Sequence, residues 1–319
     1  PKVYTLATRK DSVYQLVVEY WQGDGSANVH LRAGNYEKVD FAALAQRLSD
    51  VDAFVFIGGI SPQLEGEEMQ VNFKGFNGGD RTTILLPEAQ TQLLKVLQKT
   101  GKPVVFVMMT GSAIAIPWED AHIPAILNTW YGGQSAGTAL ADVLFGDYNP
   151  AGRLPVTFYK SDADLPDFRS YDMSNRTYRY FKGEPLYPFG YGLSYSTFKY
   201  SSLKLPRFVT PGKNISVSVT VTNTGKLAGE EVVQLYLSHP EVSGKAPIRA
   251  LKGFQRVGLK AGESKTLTFM LTPEELSLVS PEGKLWQPKG KIAISIGGGQ
   301  PDTGRKTSSN VLKKQFEVR

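Results

Sequence analysis

Residues 51–59 read VDAFVFIGG and residues 103–111 read PVVFVMMTG. Each is a nearly unbroken apolar run, rich in β-branched and aromatic residues and closed by glycine. A half-solvated strand alternates apolar and polar residues, whereas an unbroken run marks a strand covered on both faces of a parallel sheet. Between the runs, Leu93, Leu94 and Leu97 share one face of a predicted helix that Gly101 and Pro103 end. Upstream, FAALAQRLS (41–49) places Phe41, Leu44 and Leu48 on one face. Downstream, SAGTALADVLF (135–145) predicts another helix. Strands alternating with helices define an α/β layer with a mostly parallel sheet. Ligands meet such sheets at the carboxyl ends of the strands. The loops after Gly58-Gly59 and after Thr110 therefore share the functional rim.

The pattern changes further along. Residues 161–200 carry many Tyr, Phe, Pro and Gly and no helical period, so they read as an ordered connector held by its rings. From 201 to the end, NISVSVTVTNTG, VVQLYLS, SKTLTFMLT and KIAISIGG alternate in period two, with turn residues between them. That is the pattern of an antiparallel β-sandwich. Before the α/β layer, VYQLVV (13–18) and NVHL (28–31) read as two strands. The expected division is 1–34, 35–160, 161–200 and 201–319.

Composition excludes several function classes. The 319 residues include no cysteine, which removes disulfides, thiolate catalysis and Cys-zinc sites. His30, His122 and His239 are scattered, so no metal site is expected, and no motif calls for a cofactor. No run of ~18 apolar residues suggests a membrane span. The net charge of +6 is uneven: residues 1–200 carry 18 basic and 21 acidic residues, and residues 201–319 carry 18 and 9. The surplus lysines stand singly along strand-like runs, as on a solvated β-face, so nucleic acid is not an expected partner.

The chemistry is expected in the loop GGISPQLEGEEMQVNFKGFNGGDRTTILLP (58–87), which leaves the first strand at the ligand edge. It holds Glu65, Glu67 and Glu68. A loop of this length inside a compact domain usually serves a function. Met69, Val71, Phe73 and Phe76 imply that it packs on something. A carboxyl beside such groups is partly desolvated, which raises its pKa and suits a general acid. Ser112 has no histidine or aspartate placed for a triad and reads as structural. Trp130 and Tyr131 read as packing residues before they read as a sugar platform.

The runs ILNTWYGGQSAGTALADVLFGDYNPAGRLPVTF (126–158) and YRYFKGEPLYPFGYGLSYSTF (178–198) closely resemble the signatures of glycoside hydrolase family 3. The resemblance covers about residues 40–319. It implies a flavodoxin-like α/β sandwich followed by an immunoglobulin-like, fibronectin type III-like domain. It also likens residues 1–34 to the end of an inserted PA14-like β-sandwich. Family members are retaining exo-acting β-glycosidases that use no cofactor. A (β/α)₈ barrel supplies their nucleophilic aspartate, and the α/β sandwich supplies an acid/base glutamate. Members commonly carry that glutamate in an E-G-x-D-R-like run. Here Gly79-Asp80-Arg81 is present, but the glutamates lie upstream of an insertion. Gly59-Ile60-Ser61-Pro62-Gln63-Leu64-Glu65-Gly66-Glu67 follows the spacing of the family's β-xylosidases. The resemblance thus assigns the acid/base to Glu67, with Glu65 and Glu68 as alternatives, and gives Asp80 and Arg81 a supporting role as a charge-assisted pair.

A (β/α)₈ barrel needs ~250 residues of its own, so none is expected beside these two domains. The implied partners are that barrel, an oligosaccharide or aryl glycoside substrate, and a second copy of the chain joined through an unpaired sheet edge. Xylose is the first expectation for the sugar, glucose the second and arabinofuranose the third. A periplasmic or secreted location goes with degradation of plant polysaccharides. The rival readings are a non-catalytic carbohydrate-binding module and a part that only braces a barrel.

Overall fold

The computed structural model describes residues 4–25, 31, 34, 38–69, 71–242, 244, 246–305 and 307–319, with the Asn72 side chain left aside. The chain forms two compact units, residues 1–40 and 41–319. In the first unit, residues 13–18 form no strand. Val13, Leu16 and Val17 are exposed. A strand exists only by pairing, and nothing among the described residues pairs with this run. Most of the second expected strand, 28–31, lies outside the described residues.

In the second unit, α1 (Phe41–Arg47) leads into β1 (Phe54–Gly59). The loop that follows contains three two-residue strands, β2 (Asn72–Phe73), β3 (Phe76–Asn77) and β4 (Asp80–Arg81), joined as an antiparallel meander. Helix α2 (Glu88–Lys99) follows, then β5 (Val104–Met109), α3 (Pro117–His122), β6 (Ala125–Asn128) and α4 (Ala136–Phe145). Strands β1, β5 and β6 form a parallel sheet in that order, with Phe54 opposite Val104 and Val105 opposite Ala125. Leu94, Leu97, Phe106, Met108, Ile114, Ile116 and Phe158 form its core. Strand β1 departs from the expected two-sided burial. Phe54 is buried, but Val55 and Ile57 on the opposite face are 51% and 56% exposed. β1 is the edge of this sheet, and no strand among the described residues pairs with its outer side.

The connector holds a 3₁₀ turn at Asp162–Asp164 and the single-turn helix α5 (Thr177–Tyr180). Its rings pack on one another: Tyr178 stacks on Phe189 with centroids 4.3 Å apart, and Tyr187 stacks on Tyr191 at 5.4 Å.

The β-sandwich comprises β7 (Phe198–Lys204), β8 (Phe208–Val209), β9 (Ile215–Asn223), β10 (Gly229–Ser238), β11 (Ala250–Leu259) and β12 (Ser264–Leu271). The small hairpin β13 (Leu278–Val279) with β14 (Leu285–Trp286) precedes β15 (Gly290–Gly297) and β16 (Val311–Val318). One sheet runs β11-β10-β15-β16-β8 and the other β12-β9-β7. Val217, Val219 and Val221 alternate into the core against Leu267, Phe269 and Leu271 on the neighbouring strand and Leu235 and Ile294 from the facing sheet. Strand β10 is buried on both faces because the connector covers its outer side. Gln234 Nε2 donates to Gly190 O and Gly298 O, both at 3.0 Å, and Tyr236 Oη donates to Gln234 Oε1 at 2.6 Å.

Candidate active-site loop

The loop begins where β1 meets β5. Gly59 has φ of +126°, and a Cβ there would sit 1.8 Å from Met109 O, so only glycine fits. The backbone NH of Ile60 donates to that same carbonyl at 3.0 Å. Gln90 of α2 clamps the strand end from the other side. Its Oε1 accepts from Gly59 N and its Nε2 donates to Gly59 O, each at 2.7 Å.

The chain then makes a turn in which Leu64 N and Glu65 N both donate to Ser61 O, at 2.9 and 3.2 Å. The meander lies directly against this turn. Met69 N donates to Gly78 O at 3.1 Å, and a Cβ on Gly79 would fall 2.0 Å from Gly66 O. The acidic turn is therefore backed by hydrogen-bonded backbone. Phe76 reaches the core, while Leu64 and Val71 pack at its edge.

Arg81 organises what lies between. Its Nη1 donates to Ser112 Oγ at 2.7 Å and to Ala113 O at 3.0 Å, and its Nε donates to Thr83 O at 3.2 Å. Ser112 Oγ sits 3.1 Å from both oxygens of Glu65, to which it donates. Glu65 Oε1 lies 3.9 Å from Arg81 Nη1. The result is a relay from guanidinium through hydroxyl to carboxylate. Arg81 Nη2 is buried without a partner among the described residues. Burial draws the Arg81 pKa down, while the nearby Glu65, Asp162 and Tyr131 pull it up. Tyr131 closes the rim and donates its hydroxyl to Ile60 O at 2.6 Å; burial pushes its pKa up. The connector pins the loop's exit, since Asp162 accepts from Thr83 Oγ1 and Ile84 N, both at 2.7 Å.

Glu67 and Glu68 are exposed and have no hydrogen-bond or ion-pair partner among the described residues. Glu68 takes the left-handed conformation, φ +51°. The expected pair between Asp80 and Arg81 does not form. The partners of Arg81 are Ser112, Ala113, Thr83 and, more distantly, Glu65, while Asp80 is exposed. Consecutive residues of a strand point to opposite faces, so neighbours in β4 cannot meet side by side. The bridging role of Ser112 and the clamp made by Gln90 had no signal in the sequence. Trp130 packs edge-on to Phe158, with centroids 6.1 Å apart, as a core-flanking residue. Among the described residues no group of acidic or histidine side chains is placed to hold a metal ion. Among the described residues no helix is long and apolar enough to cross a membrane.

The fold is thus a parallel α/β layer with an acidic loop on its strand-end rim, joined by an aromatic connector to a β-sandwich. Residues 5–195 match the glycosyl hydrolase family 3 C-terminal domain, and residues 231–300 match the fibronectin type III-like domain. The chain belongs to glycosyl hydrolase family 3. A xylan 1,4-beta-xylosidase of Xylanibacter ruminicola is 46% identical over 81% of this chain and 30% of its own length. A periplasmic beta-glucosidase of Salmonella typhimurium is 43% identical over 68% of this chain and 30% of its own. The crystal structure of a beta-glucosidase from Listeria innocua in complex with gluconolactone superposes with a TM-score of 0.73 at 31% identity. That match covers 89% of this chain and 39% of the other. The chain spans about a third of the length of the curated relatives it matches.

Proposed function

We propose that this chain is the part of a retaining exo-β-glycosidase that supplies the general acid/base, and that Glu67 is that residue. The observation that carries the reading is the acidic turn held on the strand-end rim by Arg81 and Ser112. Glu65 is occupied there, accepting from Ser112 and lying 3.9 Å from the desolvated Arg81 guanidinium. Glu67, two residues on, is free to reach a bond presented by another domain. In the first step its carboxyl gives a proton to the glycosidic oxygen. The barrel's aspartate attacks the anomeric carbon, and the aglycone leaves as an alcohol. In the second step the Glu67 carboxylate takes a proton from water as that water displaces the aspartate.

The sugar is a non-reducing-end β-xyloside first and a β-glucoside second. The xylosidase relative and the loop's spacing support that order. A periplasmic location is supported by the periplasmic relative. The free edge of β1 supports pairing with a further chain or domain. Within this reading, residues 35–160 carry the acid/base, 161–200 connect, and 201–319 brace.

The test uses the full-length parent enzyme with Glu65→Gln, Glu67→Gln and Glu68→Gln. Glu67→Gln is expected to lose turnover on xylobiose, keep it on a dinitrophenyl xyloside, and regain it with azide as the glycosyl azide. A loss that azide does not rescue marks a supporting role, which is the outcome expected for Glu65. Azide rescue of Glu65→Gln or Glu68→Gln instead would move the assignment. Indifference to all three replacements would favour a binding or bracing module. The chain alone, lacking the nucleophile, is expected to hydrolyse no aryl glycoside.

A further inference from the structure

A cavity of about 380 Å³ opens between the connector and the β-sandwich, away from the acidic loop. Its size is at the small end for ligand pockets. Tyr178, Phe181 and Ile248 give it an apolar wall. Tyr178 is fixed there by its stack on Phe189 and by its hydroxyl, which accepts from Leu251 N at 3.1 Å.

The charged groups around it are unequally committed. Glu184 is paired with Lys160 at 2.7 Å, and Asp302 is paired with Lys313 at 2.5 Å. Lys182 has no side-chain partner among the described residues. Among the described residues the Arg249 side chain makes one hydrogen bond, from Nη1 to Gln300 Oε1 at 2.9 Å. Gln300 is buried and is itself held by donating to Phe189 O at 2.7 Å. The guanidinium is therefore aimed by a fixed amide, and its other donors have no hydrogen-bond partner among the described residues. Burial draws its pKa down, while the nearby Asp302 and Tyr236 pull it up, and arginine stays charged. A half-buried guanidinium with donors to spare, beside an apolar ring wall, suits a ligand that carries both a carboxylate and an apolar face.

We propose that this cavity binds a monosaccharide-sized uronic acid, with its carboxylate on Arg249 and Lys182 and its ring against Tyr178. Arginine suits planar carboxylate recognition by paired N–H donors. The choice of a saccharide over other carboxylates rests on the glycosidase reading above.

The test is titration of the chain with D-glucuronate, D-glucose and acetate by calorimetry or ligand-observed NMR. Glucuronate is expected to bind with a Kd of ~1–10 mM, and glucose and acetate at least several-fold more weakly. Arg249→Met is expected to abolish the preference for glucuronate. Lys182→Gln, at an exposed position that leaves the fold untouched, is expected to weaken it a few-fold. Equal binding of acetate and glucuronate would overturn the saccharide assignment. Equal binding of glucose and glucuronate, or no effect of either Arg249→Met or Lys182→Gln, would overturn the site. The readout is binding by this chain, so its failure leaves the acid/base reading standing, and failure of that reading shows only in the azide series.

Discussion

Replacing Arg153 by methionine strands a buried carboxylate, and the cost should depend on pH. Arg153 Nη2 pairs with Glu231 Oε1 at 2.8 Å, and the two side chains are 7% and 0% exposed. Glu231 Oε1 also accepts from Val232 N at 2.7 Å, while Oε2 is buried without a partner among the described residues. Burial pushes the Glu231 pKa up even with the arginine present. Removing one partner of such a pair typically costs ~3–5 kcal/mol, because the remaining charge is uncompensated. A carboxyl has an escape, which is to take up a proton. From its ordinary value of 4.5, protonation costs about 3.4 kcal/mol at pH 7 and about 1.4 kcal/mol at pH 5.5. Those figures cap the charge penalty. The sign follows from linkage. A carboxyl raised in the folded state contributes its stability below its unfolded pKa, and that stability is lost as pH rises through the folded value. Arg153→Met lifts the folded value further, so its deficit grows with pH. Urea unfolding at pH 5.5 and pH 7 should show a deficit about 2 kcal/mol larger at pH 7. Adding Glu231→Gln should remove that pH dependence and recover most of the loss. A deficit equal at both pH values, or a double variant as unstable as the single one, would refute the argument.

Other perturbations test other joints. Asp120 accepts from Arg305 at 2.9 and 2.7 Å and from Tyr187 Oη at 2.6 Å. Burial raises its pKa, but these hydrogen bonds outweigh that and hold it below the ordinary 3.8. Its contribution is present above that value and lost as pH falls through the depressed one. Asp120→Asn should thus cost ~1–2 kcal/mol at pH 7 and nearly nothing in acid below the folded pKa, read by urea titration at both. Gly59→Ala should destabilise by ~3 kcal/mol or more, because the residue combines positive φ with a carbonyl in the way; chemical denaturation checks it. Ser112→Ala should cost ~1–3 kcal/mol by leaving Arg81 and Glu65 short of a shared partner. In the full-length enzyme it should lower kcat on xylobiose without azide rescue.

How far the sequence reached depended on how local the cause was. The apolar runs at 51–59 and 103–111, the helical face at 41–49 and that of Leu93, Leu94 and Leu97 follow from local residue pattern, so they were legible, as was the alternation of Ile215–Asn223. The strand reading of 13–18 rested on residue type alone and failed, because a strand also needs a partner. The two-sided burial expected of β1 failed at Val55 and Ile57, because burial is decided by what lies across the sheet.

The acidic loop could be found in the sequence, since its length, its glycines and three clustered glutamates are local facts. Which glutamate is anchored could not. Glu65 and Ser112 are separated by 47 positions, and Gly59 and Gln90 by 31. Asp80 and Arg81 are adjacent, yet the strand turns their side chains apart. Local sequence therefore fixed the elements and the place of the loop. Only the tertiary structure chose the partners, because a hydrogen bond requires donors and acceptors about 3 Å apart, and distance in the fold is set by packing, not by order along the chain.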